Sequence, residues 1–183
     1  MPRLPLTPDD IAVPASLVDR LRTRHGGRLL EVERVLLHSS TLATAWDGFF
    51  GGIKSGLLLS ARRRELIACA VGSLNGADYQ FQQHAGPYLA AGGTSAQLEA
   101  LADPGAAVDD ADRFDAADRA ILRLLIDMTL HVWVDDDVFA AARKAMDSDA
   151  AMVELVGVIA GYNLVSRFLV ALRIEAATTA QAT

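Results

Sequence analysis

Glu65 and His84 are the residues whose types and spacing first invite chemistry. Glu65 lies ten residues before Asn75, and His84 lies eight residues after Gly76. If the flanks of that Asn-Gly turn are helices folded back on each other, a rise of about 1.5 Å per residue sets both side chains level, roughly 12 to 15 Å from the turn. A carboxylate and an imidazole held level on neighbouring helices form a candidate acid and base pair. Imidazoles as a class titrate near neutral pH, and a carboxylate can orient one or, when buried, hold a proton itself. Gln80 is four residues before His84 and shares its helical face. With Tyr79 it is a candidate to hydrogen-bond a substrate oxyanion or carboxylate. Cys69 is four residues after Glu65, on the same face and inside an apolar run. Such a thiol is ordinarily an inert small hydrophobe, and it enters the candidate substrate-binding set only as a wall residue.

These residues need elements to hold them, and the pattern predicts helices throughout. Residues 1–14, with prolines at 2, 5, 8 and 14, read as an extended arm. A helix begins at Pro14 and stops at Gly26-Gly27, and a second runs from Arg28 to Ser39 with Leu29, Val32, Val35 and Leu36 on one stripe. Between Thr41 and Gly56 four glycines predict one short helix followed by a loop. Its Trp46 and Phe50 are candidate pocket-wall residues, and core packing accounts for them equally well. Ser60 caps the helix that carries Glu65, Asn75-Gly76 stops it, and the partner helix runs from about Ala77 to Ala91. Thr94 and Gln97 form a capping box, and Asp103-Pro104-Gly105 ends that helix. Asp115 opens a helix reaching His131, Asp135 to Asp137 open another, and Ser148 or Asp149 caps a last long helix ending near Leu172. No alternating strand pattern appears, so the fold class is all-α, a helical bundle around a central antiparallel hairpin. The expected organisation is an arm at 1–14, one domain at 15–175 and a flexible tail at 176–183.

Composition narrows the function classes. A formal net charge of -6 argues against nucleic acid as a partner. Arg62 to Arg64 form the one dense basic run, read as a solvated first helical turn or as a collar that steers an anion towards Glu65. One cysteine excludes an internal disulfide and any two-thiol pair within the chain, and the proline-broken start lacks the apolar core of a signal peptide. The expected location is therefore cytoplasmic, with no membrane partner. Met152 to Leu172 is the most apolar segment, but Glu154, Asn163 and Arg167 interrupt it. It reads as a buried helix at a subunit interface, its Tyr162, Asn163 and Arg167 forming an interface network, which predicts a homo-oligomer. His25, His38 and His131 lie near helix ends, where a capping role outweighs a ligating one.

Glu65, Leu74-Asn75-Gly76, Tyr79 and His84, followed by an alanine-rich helix and Gly92-Gly93, resemble the carboxymuconolactone decarboxylase and alkylhydroperoxidase D superfamily. Asp118-Arg119-Ala120-Ile121-Leu122, Trp133, and Glu154 through Gly161-Tyr162-Asn163 to Arg167 extend the resemblance from about Leu29 to Ile174. It implies an AhpD-like helical fold and assembly as a dimer, trimer or hexamer. Peroxidase members carry a glutamate, a cysteine twelve residues on, another three further and a histidine four beyond. Here those positions hold Glu65, Ala77, Gln80 and His84, so both thiols are missing. Without them peroxide can be neither attacked nor the product resolved by that pair. The resemblance therefore implies a cofactor-free lyase or isomerase, with no metal. It would run acid-base chemistry, decarboxylation foremost, on a small carboxylated or carbonyl-bearing molecule, with Glu65 and His84 catalytic. An antioxidant peroxidase working through Cys69 and a non-catalytic oligomer that binds a ligand are the alternatives.

Overall fold

The structure is a computed structural model that describes residues 2–175. The predicted tail at 176–183 lies outside the described residues. Two compact units divide the chain, one of residues up to Gly56 with those from Ala171 onward, the other Leu57–Val170. No strand occurs among the described residues.

The first unit holds α1 (Ala15–Arg24), α2 (Glu31–Leu36) and α3 (Ser40–Ser55). The second helix is shorter than its apolar stripe predicts. It starts only at Glu31, because Leu30 is the cap and Glu33 Oε2 accepts from the Leu30 N–H at 2.8 Å. Thr7 and Arg34 tie the arm down through mutual bonds, Thr7 Oγ1 donating to Arg34 O and Arg34 Nε to Thr7 O at 2.8 and 2.7 Å. The larger correction is α3, a single sixteen-residue helix where the sequence predicts a short helix and a loop. Each interior glycine costs about 1 kcal/mol of helix propensity, but tertiary packing overrides it. Ala43, Asp47, Phe50 and Ile53 recur at helical spacing and are all buried. Asp47 is also gripped by Arg24 at 2.7 Å and Arg20 at 3.1 Å.

The second unit is built on α4 (Ala61–Leu74), every residue of which from Leu66 to Gly72 is buried. Ser60 Oγ accepts from the Arg63 N–H, as its cap position predicts. The C-terminus is closed by Asn75, and Gly76 takes φ +62 in the turn that leads to α5 (Asp78–Ala90). These two helices pack together more extensively than any other pair. Gly72 makes that possible: a Cβ there would sit 3.1 Å from the Phe81 nitrogen and 3.5 Å from the Gln80 Cβ. Around the hairpin come α6 (Ser95–Ala100), α7 (Pro104–Ala107), α8 (Ala116–Ile126), α9 (Asp136–Lys144) and α10 (Asp149–Leu172). Asp103-Pro104 ends α6 as predicted and also starts α7, with Asp103 as cap and Pro104 in the first turn.

The basic run is not a free collar. Arg62 forms a two-pronged bond to Asp118, at 3.1 and 2.6 Å, and Asp118 is fully buried. Arg63 approaches the same carboxylate at 3.6 Å, and Arg64 donates to Leu59 O. Arg62 and Arg63 thus clamp α4 to α8. The predicted single helix from Asp115 to His131 changes to π-helical winding at Asp127–His131. At that wider turn Thr129 Oγ1 accepts from Asn163 Nδ2 at 2.9 Å, and Thr129 O accepts from Arg167 Nη2 at 3.3 Å. Asn163 Oδ1 accepts in turn from Asn75 Nδ2 at 3.1 Å. Asn163 and Arg167, two of the trio predicted as an intersubunit network, brace the hairpin turn, the π turn and α10 within the chain. Helix α10 is long and apolar enough to cross a membrane by composition, and half of its most apolar window is buried.

Candidate active site

Glu65 and His84 meet. His84 Nδ1 lies 2.6 Å from Glu65 Oε2, the two side chains 19% and 18% exposed. Helix α4 carries Glu65 one turn inside its start, and α5 carries His84 at its middle. The imidazole is therefore held by two helix bodies and not by a loop. With Glu65 ionised, Nδ1–H donates to the carboxylate, which fixes the ring and leaves Nε2 as the reactive nitrogen. Nε2 has no hydrogen-bond partner among the described residues.

Tyr162 completes the setting. Its ring packs edge-to-face on the imidazole, centroids 4.9 Å apart at 84°. It is buried, and burial first, then the Glu65 carboxylate, push its phenol pKa upward. Sequence reasoning assigned Tyr162 to an interface. The signal that would have found it was the one tyrosine of a long helix whose interior polar positions, Glu154, Asn163, Ser166 and Arg167, are few.

Cys69 is fully buried, and burial followed by the Glu65 carboxylate pushes its thiol up to about 12. A thiol so held is a neutral hydrophobe at physiological pH and not a nucleophile. Gln80 is 1% exposed and its Nε2 donates to Ala68 O at 2.8 Å. That bond occupies one of the two N–H donors of its amide. Tyr79 is buried at 4%. Trp46 and Phe50 belong to the first unit, where their rings stack obliquely at 4.9 Å and Phe49 meets Phe50 edge-on at 5.0 Å.

Residues 40–122, which include the hairpin and its Glu65–His84 pair, match the carboxymuconolactone decarboxylase family. No curated protein matches the sequence. Among solved structures, the chain is similar to a peroxidase-related protein from Silicibacter sp. TM1040, with a TM-score of 0.79 at 19% identity over 95% of this chain and 91% of that one. It is also similar to a putative antioxidant defence protein AhpD from Agrobacterium tumefaciens, with a TM-score of 0.69 at 19% identity over 77% and 94%. A third is the debrominase Bmp8, solved as a cysteine-to-alanine variant with 2,3,4-tribromopyrrole, with a TM-score of 0.76 at 20% identity over 94% and 92%. The all-α, AhpD-like fold expected from the sequence is the fold these neighbours share. In this chain the positions of the peroxidase thiols hold Ala77 and Gln80.

Proposed function

We propose that the protein is a lyase or isomerase that moves a proton through His84 on a small carboxylated or carbonyl-bearing molecule, with Glu65 orienting the imidazole. One observation carries this reading: the 2.6 Å bond from Nδ1 to Glu65 leaves Nε2 as the one ring nitrogen open to a substrate. In decarboxylation the bond from the α-carbon to the carboxylate breaks and CO2 departs. The electron pair passes into a conjugated carbonyl as an enolate, and Nε2–H then gives its proton to carbon. Water restores that proton. Glu65 stabilises the imidazolium by charge, and removal of such an orienting carboxylate disturbs both the tautomer and the charge. Run the other way, neutral Nε2 takes a proton next to a carbonyl and the same pair serves an isomerase.

The family match supports an enzyme, and the debrominase with its bound pyrrole is a precedent for a small ring held by a protein of this fold. The neutral, buried state of Cys69 weighs against the peroxide-reducing alternative. Exposed Val153 and Leu164 on α10 support the expected homo-oligomer, and a monomer in analytical ultracentrifugation would remove it.

A survey of keto acids and lactone acids with purified protein tests the proposal. The expected result is turnover that falls at least about a hundredfold in Glu65→Gln and in His84→Ala. Turnover that both variants retain refutes it, and a panel with no turnover favours the ligand-binding reading.

A further inference from the structure

The carboxylate of Asp118 serves two guanidinium groups. Arg62 takes it with both prongs, at 3.1 and 2.6 Å, whereas Arg63 reaches it only through Nε, at 3.6 Å. Asp118 is fully buried, and the two arginine side chains are 24% and 27% exposed. One buried negative charge thus faces two half-buried positive ones. Asp115 adds a pull on Arg62 from further off, but its carboxylate already caps the Asp118 N–H. The Nη atoms of Arg63 make no hydrogen bond among the described residues. A guanidinium carries five N–H donors, so most of this fork is uncommitted.

Arg63 also lines a cleft. The space, about 290 Å³, lies between the start of α4 and the turn from α9 into α10. That volume stands at the lower end of the roughly 300 to 1,000 Å³ of small-molecule sites, so its occupant is small. Leu59, Met146 and Ala151, all buried, supply its apolar wall. Ser60 and Ser148 line it too, their hydroxyl oxygens accepting the backbone N–H groups of Arg63 at 3.4 Å and Ala151 at 3.1 Å. Neither O–H has an acceptor among the described residues. The lining is therefore rich in donors, a guanidinium and two hydroxyls, beside hydrocarbon. Its one acidic residue, Asp147, is exposed and makes no ion pair with Arg63 among the described residues.

We infer that this cleft binds a small monocarboxylate with a short apolar body, its carboxylate on the Arg63 guanidinium and the two serine hydroxyls, its hydrocarbon on Leu59, Met146 and Ala151. The planar fork of an arginine matches a carboxylate with two parallel bonds, each about twice as strong as a neutral one. Asp147 sets the limit of one negative charge, because a phosphate dianion would bring a second charge beside it. Glu65 and His84 do not line the cleft, so the inference stands independently of the proposed function.

Amide NMR titration of the unmodified protein with isovalerate, isovaleramide and inorganic phosphate tests this. Isovalerate should shift the Ser60, Arg63 and Ser148 signals and saturate in the millimolar range that its size allows. Isovaleramide and phosphate should bind at least about tenfold more weakly. In Arg63→Gln, where Arg62 still holds Asp118, isovalerate should also weaken at least about tenfold. Ala145→Leu, which fills the cleft from a half-buried lining position, should abolish binding. If Arg63→Gln does not fold, Ala145→Leu decides. No saturation below about 50 mM, amide or phosphate binding as tight as that of isovalerate, or isovalerate binding that survives either variant overturns the inference. Shifts confined to His84 and Tyr162 overturn it as well and leave the proton-transfer reading standing.

Discussion

His25 stands 3.0 Å from Glu33 and His84 stands 2.6 Å from Glu65, yet the two pairs do different work. Glu33 is buried at the start of α2, and its second oxygen accepts the Leu30 N–H. Burial pushes its carboxyl up to about 7, against the opposing pull of Leu30, Arg24 and Lys54. Burial also pushes His25 down, helped by Lys54 and Arg24. Both members favour their neutral forms, so this pair is a neutral hydrogen bond that closes the turn between α1 and α2. Glu65 has no capping duty, and His84 keeps one nitrogen open. The same two residue types make a brace where the carboxylate also caps a backbone N–H and both members are pushed towards neutrality, and a candidate tool where two helix bodies hold a carboxylate with no cap to make.

The largest expected break in this comparison is functional. Glu65→Gln and His84→Ala should each lower turnover at least about a hundredfold, while Glu33→Gln and His25→Ala should leave it within about threefold, by steady-state kinetics. Equal losses from both pairs would mean that neither is special.

The next effect belongs to stability. The folded pKa of Glu33, about 7, stands above its ordinary 4.5. Its contribution is therefore full below pH 4.5 and is lost as pH rises to about 7, a change of about 3 kcal/mol. His25 works oppositely: its lowered pKa contributes stability above pH 6.5 that is lost as pH falls through the folded value. Denaturant unfolding from pH 4.5 to 8 should show the first slope in the unmodified protein and a flatter profile in Glu33→Gln. An unchanged slope would show that burial of Glu33 does not govern its proton.

The smallest expected effect is at Cys69. With the thiol pushed up to about 12, alkylation at pH 8 should wait for unfolding, and Cys69→Ser should leave peroxide consumption unchanged. Rapid labelling of the folded protein would reopen a sulfur chemistry.

The hairpin was legible in the sequence because three independent signals agreed there: the Ser60 cap, the Asn75-Gly76 stop and the level spacing of Glu65 and His84. Helix α3 was not, because its glycines speak locally while Phe50, Ile53 and the Asp47 ion pairs decide it from elsewhere in the unit. The π turn was hidden for the same reason, since Asn163 and Arg167 reach Thr129 from more than thirty residues away. At the site, residue types and spacing gave the pair. Which amide atom of Gln80 bonds the Ala68 carbonyl, and that Tyr162 lies against His84, are matters of side-chain direction that spacing does not encode.

The central claim, that Glu65 holds His84 with Nε2 free, is tested most directly by nitrogen-15 NMR of the histidine rings in the unmodified protein and Glu65→Gln. A free imidazole favours the Nε2–H tautomer, so the diagnostic signal is its reversal. The account predicts neutral His84 as the Nδ1–H tautomer in the unmodified protein, reverting in Glu65→Gln. An Nε2–H tautomer in both proteins would contradict it.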